Sequence, residues 1–325
     1  TKVRIARFLL MLEERKSIEE TRAVFGEQGV TASQVEKLRA IAEKSDFSIR
    51  MRIYYYLSKM TVGQVSEDLE NQCFRYLCDS LYEASIGKAP AEEPYHITRD
   101  EVKVELPIRV NFGGGWSDTP PYCNEHGGTV LNAAAKLNGI LPVIVTVKKM
   151  DKPCIALAST DSGAYDEFTD VKVLQSCRDP FDTYALHKAA LLACGIVPLN
   201  REATLEELLE KLGGGLYLST AVMGIPRGSG LGTSSILAGA CVKAIFEYIG
   251  KEVTENELYT HVLCMEQLMS TGGGWQDQVG GLTGGIKLVS TKPGLMQNIE
   301  VQHLNIPEEA LQELKDRFVL IYTGQ

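Results

Sequence analysis

The chain has no CxxC pair, no apolar run long enough to cross a bilayer, no low-complexity tract, no internal repeat and no excess of positive charge. Its eight cysteines (Cys73, Cys78, Cys123, Cys154, Cys177, Cys194, Cys241, Cys264) are scattered through 325 residues. That scatter excludes zinc-ribbon spacing and the dense disulfide framework of a small secreted domain, so reduced, partly buried thiols of a cytoplasmic protein are expected. The missing apolar run excludes a membrane helix, and the N-terminus lacks the charged, apolar and small-residue order of a signal peptide. With 42 acidic against 33 basic residues the net charge is −9. Nucleic acid and anionic membranes favour a basic face, which leaves a small molecule as the expected partner. The chain opens at Thr1 without Met, as an internal piece of a longer protein would.

What is present divides in two, as roughly 150 residues per domain would allow. Apolar residues spaced three and four apart (Val3, Phe8, Leu9, Leu12; Val35, Leu38, Ile41; Ile49, Ile53, Tyr56, Leu57; Leu69, Cys73, Tyr76, Leu77, Leu81) predict a helical bundle up to about residue 88. Thr31 with Gln34 predicts a capping box. The Pro- and Ala-rich stretch Ile86 to His96 reads as a linker, giving a helical segment over 1–88, a linker over 89–100 and a mixed domain over 101–325. In the last, strands such as Val102 to Phe112 and Ile140 to Met150 interleave irregularly with helices near 180–195, 204–212, 234–250 and 255–270. An α+β fold follows. Arg317 to Thr323 reads as a buried terminal strand, whose uncovered edge predicts further polypeptide packed against it.

The run from Gly224 to Ala240 joins a glycine-rich loop to a small-residue helix. Backbone N–H groups freed of Cβ atoms and the positive end of a helix would converge there on phosphate. Ser234 and Ser235 open the helix where Mg²⁺ could take a hydroxyl ligand. Taken alone, such a loop is equally a plain strand-to-helix connector. Pro107 to Pro121 ends a strand in three glycines and presents Trp116, Asp118 and Thr119, suited to a sugar, although a tight turn with a capping Asp fits that stretch as well. Ser270 to Gly281 places Asp277 between glycines, where a cation such as Arg109 would orient it; capping the next element is its other reading. Glu266, eleven residues earlier, is by itself an ordinary surface Glu that its neighbours make a candidate Mg²⁺ ligand.

Together these pieces resemble the GHMP kinases. Pro107, Arg109, Val110, Asn111, Gly114 and Asp118 meet the family's first motif. Pro226, Gly228, Gly230, Leu231, Gly232, Ser234 and Ser235 meet its phosphate motif, with Thr233 where the family often has Ser, and Asp277 with Gln278 meets its DQ pair. The GGWSDTPP string followed by His126 to Gly128 looks specifically like the L-fucose kinases, and the helical segment resembles the connector of bifunctional enzymes that join such a kinase to a GDP-fucose pyrophosphorylase. The resemblance implies a GHMP kinase fold with an incomplete C-terminal lobe. It also implies transfer of the γ-phosphoryl of ATP to the anomeric hydroxyl of L-fucose in GDP-fucose salvage, with Mg²⁺. Its implied roles are catalysis by Asp277 and Arg109, and phosphate binding by Gly228, Ser229, Gly230, Leu231, Gly232, Thr233, Ser234 and Ser235. Ser234, Ser235 and Glu266 would hold the metal, and Trp116, Asp118 and Thr119 the sugar. The implied partners are the missing C-terminal lobe and a pyrophosphorylase half. A heptose 7-phosphate kinase and a non-catalytic sugar or nucleotide sensor on the same fold are the alternatives.

Overall fold

Pro107 has no N–H to give to a ladder, and it divides the first predicted strand between two sheets. In the computed structural model, which describes residues 2–26, 29–85, 95–179, 181–199, 202–226, 228–269, 273–294 and 297–322, the chain forms two units, Thr1–Ser80 and Leu81–Gln325. Residues 86–94 of the expected linker lie outside the described residues.

The first unit contains α1 (Lys2–Glu13), α2 (Ile18–Arg22), α3 (Ala32–Ala42), α4 (Phe47–Met60) and most of α5 (Gln64–Ser85). Phe8, Leu12, Phe25, Leu38, Ile53, Leu57 and Leu69 form its interior, with the rings of Phe8 and Phe25 5.4 Å apart. The helical spacing thus selects the buried stripe at Phe8, Leu12, Val35, Leu38, Ile53, Leu57, Leu69, Cys73 and Leu77, whereas Leu9, Ile41, Ile49, Tyr56 and Tyr76 are half-buried, Val3 is exposed at the first turn of α1, and the side chain of Leu81 lies outside the described residues. Thr31 starts α3 as expected, its N–H donating to Gln34 Oε1 at 2.8 Å.

The second unit runs β1 (Glu101–Leu106), β2 (Ile108–Gly113), α6 (Tyr122–His126), β3 (Gly128–Ala135), β4 (Val143–Met150), β5 (Ile155–Ser159), β6 (Ala164–Phe168), α7 (Val171–Leu174), α8 (Ala185–Ala193), α9 (Leu205–Leu212), β7 (Gly215–Val222), α10 (Thr233–Tyr248), α11 (Glu255–Leu268), α12 (Gln276–Leu282), β8 (Ile286–Thr291), β9 (Glu300–His303) and α13 (Glu308–Arg317). One sheet has the order β1-β4-β7-β5-β6, antiparallel except for the parallel β5-β7 pair. The other has the order β2-β3-β8-β9 and is antiparallel throughout. Alternating valines of β1 and β4 (Val102, Val104; Val143, Val145, Val147) pack with Leu216 and Leu218 against α8, α10 and α11. Helix α10 is buried along most of its length, and the small residues Ala238, Gly239 and Ala240 let neighbouring elements approach it closely. A second apolar cluster of Val130, Tyr259, Trp275, Val279, Val289 and Ile299 joins α11 and α12 to the four-stranded sheet.

The terminal strand is a correction. Arg317 ends the amphipathic helix α13, and residues 318–322 belong to neither helix nor strand and are exposed. An apolar run becomes a strand only where a neighbouring edge offers it hydrogen bonds, and this run has none among the described residues. No described helix is long and apolar enough to cross a membrane, and no disulfide joins the described cysteines.

Candidate functional site

The glycine-rich loop leaves β7 and enters α10, with Gly228, Ser229, Gly230, Leu231 and Gly232 in the turn and Thr233, Ser234 and Ser235 in the first helical turn. Gly232 is the N-cap and supplies no side-chain cap, so first-turn N–H groups that lack an intrahelical acceptor face outward from the helix end. Its φ of +71° favours glycine, and a Cβ there would sit 2.9 Å from Asp277 Cγ. The loop therefore lies directly against Asp277.

Asp277 stands in the first turn of α12 and is paired with the Arg109 guanidinium from β2. Arg109 is buried, and its backbone N–H donates to the Leu231 carbonyl of the loop at 3.3 Å. The arginine thus joins loop and carboxylate. Close packing holds its stem: a Cβ on Gly280 of α12 would fall 2.1 Å from Arg109 Cγ.

Glu266, near the end of α11, is buried rather than solvated. Burial pushes its carboxyl up to about 8, with Asp277 and Asp118 adding repulsion and a hydrogen bond with Ser235 pulling the other way. This brings Ser235, Glu266, Asp277 and Asp118 into one acidic neighbourhood beside the loop. No group of three His, Cys, Asp or Glu suited to a metal occurs among the described residues. One buried carboxylate with serine hydroxyls is an all-oxygen donor set that suits Mg²⁺, an ion that takes few protein ligands and completes its shell with phosphate oxygens and water.

The three residues expected at the sugar part company. Asp118 is fully buried, and its Oδ2 accepts from the Gln276 N–H at 3.0 Å, which caps α12 from outside. Burial raises its pKa. Thr119 is half-buried in the turn, its N–H donating to the Trp116 carbonyl at 3.3 Å, whereas Trp116 has φ of +73° and an indole open to solvent.

Sequence reasoning passed over Gln276. Its backbone N–H is held by Asp118, its carbonyl accepts from Asn132 Nδ2 at 3.2 Å, and its side-chain Oε1 accepts from Asn111 Nδ2 at 3.1 Å. It also passed over the packing of Gly273 and Gly274, where a Cβ would collide with Glu266 Oε2 at 1.8 Å and Asp118 Oδ2 at 2.1 Å. Three consecutive glycines ahead of Trp275 were the available signal. Of these, Gly273 and Gly274 let the chain press between two buried carboxyls.

Residues 200–285 match the family described as GHMP kinases N terminal domain. The chain is 37% identical over 270 residues to the bifunctional fucokinase/GDP-fucose pyrophosphorylase of Arabidopsis thaliana, which covers 81% of this chain and 24% of that protein. It is 41% identical over 221 residues to the L-fucokinase/L-fucose-1-P guanylyltransferase of Bacteroides fragilis, covering 67% of this chain and 23% of that protein. To the D-glycero-alpha-D-manno-heptose 7-phosphate kinase of Campylobacter jejuni it is 25% identical over 224 residues, 69% of this chain and 60% of that protein. The chain spans about a quarter of the length of the two bifunctional relatives.

Proposed function

Because this chain carries the N-terminal domain of the GHMP kinases, we propose that it belongs to an ATP-dependent sugar kinase that phosphorylates the anomeric hydroxyl of L-fucose. The observation that carries the reading is the Arg109–Asp277 pair set against Gly232 at the mouth of the phosphate loop. Phosphoryl transfer demands mainly positioning and charge neutralisation, and the loop, the arginine and the carboxylate supply both within one small volume. The proposal includes the longer protein: catalysis is assigned to the full-length chain, with a C-terminal lobe and a pyrophosphorylase half as the bifunctional relatives would have them, working in the cytoplasm.

In this mechanism the first-turn N–H groups of Thr233, Ser234 and Ser235, with those of the loop from Gly228, bind the ATP phosphates. Asp277 accepts the proton of the anomeric hydroxyl as its oxygen bonds to the γ-phosphorus and the bond to the ADP oxygen breaks. Arg109 orients Asp277 and offsets the charge that develops on the transferred group. Glu266 and Ser235, with Ser234 beside them, would hold Mg²⁺, which neutralises phosphate charge when bound. Trp116 and Thr119 flank the sugar, and Asp118 acts on it through Gln276 and the start of α12. A positioned base contributes about two to four powers of ten in rate.

The heptose 7-phosphate kinase reading has a relative in its favour, and it makes a different demand. A sugar phosphate needs an added cation at the sugar, and the turn from Gly113 to Pro121 has none. Retention of Arg109, Glu266 and Asp277 likewise favours an enzyme over a sensor. A competition assay with ATP and Mg²⁺ tests the choice: L-fucose should be used faster than any sugar phosphate, and the reverse order would overturn it.

A further inference from the structure

Lys287 lies on β8 with no exposed surface, an unusual place for a lysine. Burial alone moves its amine down to about 8, and no carboxylate pairs with it among the described residues. Its Nζ instead donates to the Gly280 carbonyl at 3.2 Å and to the Gly285 carbonyl at 3.4 Å. Gly280 belongs to the last turn of α12, where backbone carbonyls lose their intrahelical partners.

The sheet register gives this contact its meaning. Asn111 on β2 is the cross-strand partner of Asn132 on β3, and Asn132 is that of Lys287 on β8. The three form one polar row across the sheet. Asn111 and Asn132 hold Gln276 at the start of α12, while Lys287 holds Gly280 one turn later. Between those fixed points sits Asp277, and against Gly280 rests the stem of Arg109. Apolar residues in this row would satisfy the sheet equally well, so burying a lysine here needs a reason beyond packing.

We infer that Lys287 is a positioning residue for the Arg109–Asp277 pair, acting through the Gly280 carbonyl as the far bolt of the row Asn111, Asn132 and Lys287. The inference rests on the catalytic reading of Asp277 given above. It acts by geometry: an α12 free to slide by an ångström would carry Asp277 and Arg109 off the line between nucleophile and phosphate.

The test uses the full-length protein and two readouts, of which one needs no activity. In Lys287→Met, amide hydrogen exchange over residues 276–282 should quicken by about tenfold or more while the rest of the fold is unchanged. Turnover should fall by about tenfold or more with KM for sugar and ATP within about threefold. In an Asp277→Asn background the same change should have little further effect, because both act on one step. Lys287→Arg keeps a charged donor and should retain α12 protection and most of the turnover. Unchanged exchange in α12, or a Lys287→Met effect that simply multiplies that of Asp277→Asn, would overturn the inference. If Lys287→Met does not fold, Asn132→Ala removes the neighbouring bolt and should give the same faster exchange and lower turnover, and unchanged exchange there would overturn the inference equally. If the wild type phosphorylates no sugar, the catalytic reading fails and hydrogen exchange alone decides the bracing of α12.

Discussion

Gly280→Ala isolates the geometry of the site from its chemistry, since it removes no functional group. The new methyl would sit 2.1 Å from Arg109 Cγ and 2.8 Å from its Cβ. Ordinary contact begins near 3.4 Å, so the arginine stem or α12 must withdraw by more than about 1 Å. Overpacking of this kind destabilises by about 1–3 kcal/mol, while replacing a helical glycine by alanine returns up to about 1 kcal/mol, so the net loss of stability should stay near or below about 2 kcal/mol. A misplacement of about 1 Å at a reacting centre lowers rate by about a hundredfold. Activity should therefore fall far more than stability. Urea denaturation measures the first quantity and kcat/KM for L-fucose the second. Gly239→Ala is the control: its methyl meets the end of the flexible Leu282 side chain at 2.8 Å, which can turn aside without moving the α12 backbone, and should leave kcat/KM within about threefold. A folded Gly280→Ala variant with wild-type kcat/KM would refute the claim that Arg109 must stand where α12 puts it.

Asp277→Asn keeps the shape and removes the base, so turnover should fall by about a hundredfold or more with nucleotide affinity, read by calorimetry, little changed. Glu266→Gln should raise the Mg²⁺ concentration needed for half-maximal activity; an unchanged titration would remove Glu266 from the metal site. His187, buried with Nε2 2.8 Å from the Ala158 carbonyl and 3.0 Å from Thr220 Oγ1, has its pKa lowered to about 4 by burial. The unfolded chain binds this proton first, so the group's contribution is present above its ordinary pKa near 6.5 and is lost as pH falls towards 4. Between pH 6.5 and 5 the wild type should lose about 2 kcal/mol more stability than His187→Gln, a difference that denaturation at the two pH values would detect.

Much of this site was legible because its members belong to contiguous motifs. The loop glycines, Ser235, Arg109 and Asp277 each stand in a string whose chemistry can be read locally, and the structure brings those strings into contact. Glu266 needed its neighbours, since a lone helical glutamate looks solvated until α11 is seen to bury it. Asn132 and Lys287 left no trace: polar residues in a strand read as its wet face, and only the register with β2 and the cover of α12 turn that face inward. The same limit explains the two strand errors. Pro107 divides an apolar run between two sheets, and the run after Arg317 has no partner edge among the described residues, facts that depend on distant chain rather than on local pattern.

The most direct measurement is the identity of the product. The full-length protein is incubated with L-fucose, ATP and Mg²⁺, and phosphorus–proton coupling by NMR locates the transferred group. A phosphate on the anomeric oxygen is expected, formed by the wild type and reduced by about a hundredfold or more in Asp277→Asn. A phosphate at any other position, or equal formation by the Asn variant, would contradict it.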